Sequence, residues 1–231
     1  MTTSILAVVA HPDDESFGLG ALLAQAAAAG ARVGVLCLTH GEASTLHGVD
    51  GDLREIREAE LHAAARRLGL CWVRLLDRPD GGLAALGGAL VADVAAAVAS
   101  FSPDALLVFD STGISGHPDH VAATQAAVQV GRRSGVDVVA WTLPESVTRQ
   151  LDDDGFHGFV GVPDSAVDVI VEIDRAAQLA AVQEHPSQAV PGSPLWRRLE
   201  LLGDREHLRY LHNERSGNTL PFGRAVTAEP A

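Results

Sequence analysis

The stretch Ser4-Ile5-Leu6-Ala7-Val8-Val9-Ala10-His11-Pro12-Asp13-Asp14-Glu15 decides how this chain is read. The apolar, partly β-branched run over 4–10 predicts a buried strand. One imidazole and three carboxylates follow it within five residues, where a helix should begin. In an open α/β sheet, ligands bind in the crevice beyond the carboxyl ends of the strands. A His and an Asp three residues apart in that crevice can hold one metal ion and leave a neighbouring carboxylate for proton transfer.

Outward from this stretch, apolar runs alternate with helix-like patterns. A helix is expected over 16–29, closed by Gly30, then a strand over 32–39 and a polar loop to Gly51. Asp52 is the expected N-cap of a helix ending at Gly69, with Leu53, Ile56, Leu61, Ala64 and Leu68 on one side. Strands over 71–76, 105–109 and 136–141 alternate with helices over 89–101 and 119–133. Strands separated by helices of ten or more residues imply βαβ units, and so a Rossmann-like three-layer α/β/α sandwich with a mostly parallel central sheet. Beyond Pro144 the rhythm loosens. Asp152-Asp153-Asp154-Gly155 reads as a solvated turn, 167–173 as a strand, 174–184 as a helix and 195–211 as one amphipathic stretch. The expected organisation is a single domain over 1–215, followed by a mobile C-terminal tail over 216–231 that lacks periodicity.

The bulk numbers exclude whole classes. A formal charge of −13 over 231 residues argues against a general nucleic-acid binder, which carries a basic stripe, and against docking on anionic membrane. Cys37 and Cys71 form no close-spaced pair and read as buried, reduced thiols. The apolar run at the N-terminus has no charged leader and is too short for a signal segment, and no stretch reaches the length of a membrane span. A cytoplasmic, soluble protein is the expectation. No Gly-x-Ser-x-Gly elbow ends a strand. Gly18-Leu19-Gly20 is a poor dinucleotide fingerprint, since a charged cluster separates it from the strand and no third glycine stands at Leu23.

A second cluster, His117-Pro118-Asp119-His120, follows the strand over 105–109 and opens a helix. Taken singly, either cluster is explained by helix capping through Asp13 or Asp119. Two such clusters at matching topological positions favour a metal. If their strands are adjacent, His11, Asp14 and His120 can converge on one ion, and a two-His, one-carboxylate set leaves a coordination position open, as catalytic zinc sites require.

Together the two motifs resemble the PIG-L/LmbE-like zinc N-deacetylases, which act on N-acetylglucosamine conjugates. The likeness extends to Arg57-Glu58-Ala59-Glu60-Leu61, Arg78-Pro79-Asp80-Gly81 and His185-Pro186-Ser187-Gln188. The resemblance implies an LmbE-like fold and one zinc ion per chain, with ferrous iron as the alternative. It makes His11, Asp14 and His120 the ligands and Asp13 the general base. It makes His117 an electrostatic stabiliser or general acid, protonated and oriented by Asp119. Arg57 and Asp80 would face the substrate, a small amino sugar or glycoconjugate. Arg57 also reads as a surface partner of Glu60, and Asp80 as an ordinary turn residue. Glu15 reads as support for the metal ligands or the helix N-terminus, and His185 and Gln188 as ties between a loop and the domain. The family's Tyr two residues before the second cluster is replaced here by Ser115, which detaches the substrate of the Tyr-bearing enzymes from this chain. An amidase acting on another small amide, and a non-catalytic metal- or nucleotide-binding domain, stay as alternatives. Neither a nucleic-acid partner nor a membrane span is expected, and a homo-oligomer is compatible with the sequence.

Overall fold

The computed structural model describes residues 3–45 and 49–214, together with the backbone of 225–226. Strands β1 (Ser4–Val9), β2 (Arg32–Thr39), β3 (Trp72–Arg78), β4 (Ala105–Phe109) and β5 (Asp137–Thr142) pair in parallel, in the order β3-β2-β1-β4-β5. The order reverses between β1 and β4, so the crevice of a doubly wound sheet opens there. β6 (Val169–Glu172), β7 (Arg205–His212) and the two-residue β8 (Ala225–Val226) extend the β5 side by antiparallel pairing, as β5-β7-β6-β8. The sheet is therefore mostly parallel with an antiparallel edge, as the strand–helix alternation predicts.

Successive residues of a strand point to opposite faces, and β1 shows how this builds two cores. Ile5, Ala7 and Val9 join one apolar cluster with Val35, Cys37, Leu107 and Trp141. Leu6, Val8 and Ala10 join the other with Leu36, Leu38, Leu106 and Val108. The second is covered by α4 (Gly88–Phe101) and, beyond the short α5 (Gly113–Gly116), by α6 (Pro118–Ser134), through residues such as Val94, Phe101, Ala126 and Val130. The first is covered by α2 (Gly20–Ala28), α3 (Leu53–Leu68), α7 (Glu145–Asp153), α8 (Ala176–Val182) and α9 (Pro194–Leu202). Helix α3 starts where capping chemistry places it: Asp52 accepts the Arg54 N–H, and Gly69 closes the helix in the left-handed conformation.

Four expectations change. The helix expected over 16–29 is two pieces, α1 (Asp14–Phe17) and α2, separated at Gly18 and Leu19. A Cβ on Gly18 would stand 2.4 Å from the Phe109 ring, so this glycine serves close packing rather than a phosphate. The stretch 195–211 is α9 followed by β7, broken at Gly203 (φ 57°). Helix α7 forms where the sequence pattern loosens, and its last turn takes in Asp152 and Asp153. Cys71 is exposed while Cys37 is buried, and both are free thiols; β3 lies at the sheet edge, which gives Cys71 its access to solvent. The expected tail lies outside the described residues apart from Ala225–Val226. Among the described residues, no helix is long and apolar enough to cross a membrane.

Candidate active site

β1 and β4 are neighbours in the sheet, so the segments leaving their carboxyl ends meet. His11 Nδ1 lies 3.3 Å from His120 Nε2 and 3.6 Å from Asp14 Oδ2, and His120 Nε2 is 3.2 Å from Asp14 Oδ1. Ligands about 2.1 Å from a tetrahedral ion stand about 3.4 Å apart, so these spacings fit one small cation. Two imidazole nitrogens facing each other at this distance cannot both be lone-pair acceptors, whereas both can donate to a metal. The groups behind them complete the fit. His120 Nδ1 is 3.1 Å from the Gly113 carbonyl, and His11 Nε2 is buried facing Asp80 Oδ1 at 3.0 Å and Asp119 Oδ2 at 3.5 Å. Metal-bound imidazoles characteristically turn their second nitrogen to a carbonyl or carboxylate in this way. Asp14 Oδ2 accepts the N–H groups of Ala10 and His11. Burial opposes ionisation of Asp14, but the field of His120 and hydrogen bonds from both imidazoles outweigh it and hold its carboxyl well below the usual range.

A second set, His11, His117 and Asp119, also lies close enough for a metal. Its lone pairs are engaged elsewhere: the Asp119 oxygens accept the N–H groups of Gly81 (2.7 Å) and Leu83 (3.0 Å), and His117 Nδ1 accepts the Asp119 N–H (3.2 Å). The first set is the better cation site.

This last bond corrects the expectation of a protonated His117 held by the Asp119 carboxylate. The contact comes from the Asp119 backbone, and an Nδ1 that accepts a hydrogen bond carries no proton. Burial, followed by the fields of His120 and His11, pushes the His117 pKa down. The ring is therefore neutral, with its one proton on Nε2. The Asp119 carboxylate instead braces the 81–83 loop and faces His11.

Asp13 has φ 126° and ψ −32°, a conformation that a non-glycine residue adopts only under constraint. The constraint is visible on every side. Its N–H donates to Glu15 Oε2 (3.0 Å), its carbonyl accepts from Ser16 and Phe17, and Arg57 Nη2 lies 2.9 Å from Asp13 Oδ2 while donating to the Pro12 carbonyl. Burial raises the Asp13 carboxyl to about 6, against the lowering influence of Arg57. A half-buried carboxylate near that value suits a general base working at neutral pH.

Arg57 is thus neither a surface residue nor paired with Glu60. It is 2% exposed, and its guanidinium is engaged by Gly41 O (2.6 Å), Pro12 O and Asp13. It lines the cavity, but mainly as the holder of Asp13. Gly41, with φ +66°, makes room for it: a Cβ there would fall 2.0 Å from Arg57 Nη1. Gly41→Ala is expected to displace Arg57, destabilise the fold by about 1–3 kcal/mol and lower turnover. Urea unfolding alongside kinetics checks this, and a variant with normal stability and normal turnover would refute the role.

Behind Asp13 lies a buried polar network. His185 Nε2 is 2.7 Å from Glu15 Oε1, and Glu60 Oε2 stands 3.8 Å from Nδ1. Glu60 also accepts the Ser187 N–H and hydroxyl. Burial opposes a charge on His185, yet the Glu15 carboxylate raises its pKa from the ordinary 6.5 to about 10. A raised folded-state value stabilises fully below pH 6.5 and loses that contribution as pH climbs through about 10. His185→Gln is therefore expected to cost on the order of 2–4 kcal/mol near pH 6.5. Denaturation at a series of pH values should show the gap from wild type closing toward pH 10; a constant gap would contradict a charged His185.

The cavity over the cluster has a volume of about 370 Å³. Towards β2 and β3 it is lined by Ala43, Ser44, Asp80 and Gly81, and by Gln188, which accepts the Ser44 hydroxyl. Asp80 Oδ2 accepts the Ala43 N–H and Oδ1 faces His11, which together hold its carboxyl at about 2 despite burial. Towards β4 and β5 the wall is Phe17, Gly18, Phe109, Ile114, Phe159 and Arg198, with Ser115 and His117 at the rim. The apolar wall and Arg198 escape the motif-based reading. Arg198 had a signal nonetheless, because it falls on the apolar face of α9 defined by Leu195, Leu199 and Leu202.

A doubly wound α/β domain with a constrained carboxylate beside a two-His, one-Asp cluster in its crevice has the makings of a hydrolase of amide bonds. The family model for GlcNAc-PI de-N-acetylase matches residues 6–130, and the chain belongs to this PIG-L family. It is 31% identical to the 1D-myo-inositol 2-acetamido-2-deoxy-alpha-D-glucopyranoside deacetylase of Kineococcus radiotolerans, over 92% of this chain and 78% of that one. Among solved structures it resembles the zinc-inhibited form of teicoplanin deacetylase Orf2, with a TM-score of 0.68, 23% identity, and 90% and 97% of the two chains covered. N,N'-diacetylchitobiose deacetylase from Pyrococcus horikoshii gives a TM-score of 0.66 at 22% identity, over 90% and 84% of the two chains. These two likenesses establish the fold.

Proposed function

We propose that this protein is a zinc-dependent N-deacetylase of an amino sugar or glycoconjugate, working in the cytoplasm as a single domain over 1–215. The observation that carries the reading is the convergence of His11 Nδ1, His120 Nε2 and Asp14 Oδ1 beside a constrained Asp13. The family's description and the acetamido-sugar substrates named for the Kineococcus relative and the Pyrococcus structure point the same way.

His11, Asp14 and His120 would hold the ion. Zinc bound there supplies an electrophile that polarises the amide carbonyl and brings the pKa of water to about 7. Asp13, held by Arg57, takes a proton from the attacking water and delivers it to the departing nitrogen. His117 presents Nε2–H to the carbonyl oxygen as negative charge grows there, and a neutral donor fixed by a backbone N–H needs no reorganisation at that moment. Asp80 and Ser44, on the β2/β3 side, receive the sugar hydroxyls. One water is consumed, and acetate and a free amine are released.

The test is direct. Apoprotein reconstituted with zinc or ferrous iron is offered a panel of N-acetylated amino sugars with detection of the liberated amine. Release that requires the metal supports the reading, and a metal-loaded protein inert toward every N-acyl sugar counts against it.

A further inference from the structure

Two arginines line the cavity, and their circumstances differ. Arg57 is held at both Nη atoms by the Gly41 and Pro12 carbonyls and is ion-paired with Asp13, although its Nε is buried without a partner. Arg198 is 9% exposed, donates one hydrogen bond from Nη2 to the Phe17 carbonyl (2.8 Å), and lies over the Trp141 ring at 5.2 Å. Its Nε is buried without a partner, and among the described residues it enters no ion pair within 4.0 Å. The buried acid on β7, Glu206, is engaged by Arg175 at 2.5 Å and Trp141 at 2.6 Å. Burial lowers the Arg198 pKa to about 10, so the group is cationic at neutral pH. The fields of Glu206, Asp14 and Asp13 favour that charge, though none of these carboxylates pairs with it directly; a guanidinium this buried is normally paired with an anion, and this one borders the cavity.

Strand order fixes which part of a substrate it meets. Asp80 and Ser44 belong to loops at the β2/β3 side, the metal ligands to β1 and the start of α6, and Arg198 lies over β5 with Phe17 and Phe109 between. An amide centred at the cluster has its amino-sugar part on the hydroxyl-binding side and its acyl part against the aromatic wall.

We propose that Arg198 is a specificity residue that binds a carboxylate at the far end of the acyl group, so that the cavity takes short dicarboxylic N-acyl groups, such as N-succinyl, in preference to neutral acyl groups of similar length. The assignment of the two sides rests on the function proposed above. Hydrolysis follows the same balance: the amide C–N bond breaks, water supplies the new C–O bond, and a dicarboxylate and the amine leave. Guanidinium forks recognise carboxylates in two-point geometry, and the aromatic wall covers the intervening methylenes.

The experiment compares kcat/KM of the zinc enzyme on N-succinyl- and N-butyrylglucosamine. A hydrogen bond to a charged group predicts about a 10- to 100-fold preference for N-succinyl, falling to a ratio of about 1 in Arg198→Met and recovering partly in Arg198→Lys. A wild-type preference for N-butyryl, or a ratio unmoved by Arg198→Met, overturns the proposal. Calorimetry with succinate and butyrate reads the same second carboxylate without turnover. If no amino sugar is hydrolysed but succinate binds through Arg198, the functional reading falls and the carboxylate site stands. If amides are hydrolysed and succinate binds no better than butyrate, the site falls alone. Arg198-dependent preference for an N-acetylglucosaminide bearing its carboxylate on the aglycone overturns the acyl-side placement.

Discussion

Asp13→Asn is expected to keep its metal and lose its turnover, with kcat falling by about 10²- to 10⁴-fold, the range a positioned general base supplies. The substitution preserves shape, and Asp13 is not among the converging donors, so metal content by elemental analysis should match wild type. The amide cannot accept a proton from water, which is why the loss falls on kcat. In wild type, the base must be ionised, so kcat/KM should fall on the acid side as Asp13 protonates. Burial places that carboxyl at about 6, and a cation bound alongside draws it lower, because it favours the carboxylate. The acid limb is therefore expected at or below about pH 6, and it should vanish in Asp13→Asn. Unchanged turnover in this variant would remove Asp13 from the mechanism.

His120→Ala should act on the metal first. It deletes one of three protein donors, and replacing mere outer-sphere partners already costs about 10- to 100-fold in affinity. A loss beyond about 100-fold is therefore expected, read by zinc titration against a competing chelator. Turnover should disappear in step with bound metal. The contrast with Asp13→Asn separates holding the ion from moving the proton. If His120→Ala binds zinc as tightly as wild type, the ion belongs elsewhere, and the His11–His117–Asp119 set becomes the candidate.

The two clusters were legible because each is local. A strand and the few residues that leave it are contiguous, and the rule that ligands gather at strand carboxyl ends then places them. Capping chemistry at Asp52 and Gly69 was legible for the same reason. The C-terminal third is less legible. Helix α7 carries the sequence Glu-Ser-Val-Thr-Arg-Gln-Leu-Asp-Asp, in which only Val147 and Leu151 are apolar anchors. β7 follows α9 after only Gly203 and Asp204 and alternates only weakly, since charged side chains on both of its faces find partners in the fold.

By itself, the sequence determined a mostly parallel α/β sheet, two His/Asp clusters at strand carboxyl ends, and the family; the strand order that sets the clusters side by side came from the fold. Tertiary structure alone decided the state and support of each group. The Arg57 clamp reaches Asp13 from 44 positions away, and His185 reaches Glu15 from 170. The proton on His117 follows from which side of its ring meets a backbone N–H, and Arg198 meets the cavity only because α9 folds back over Trp141. Hydrophobic periodicity and caps are encoded within a few turns of chain. Burial, pairing and charge state depend on what packing brings within a few ångströms, whatever the distance in sequence.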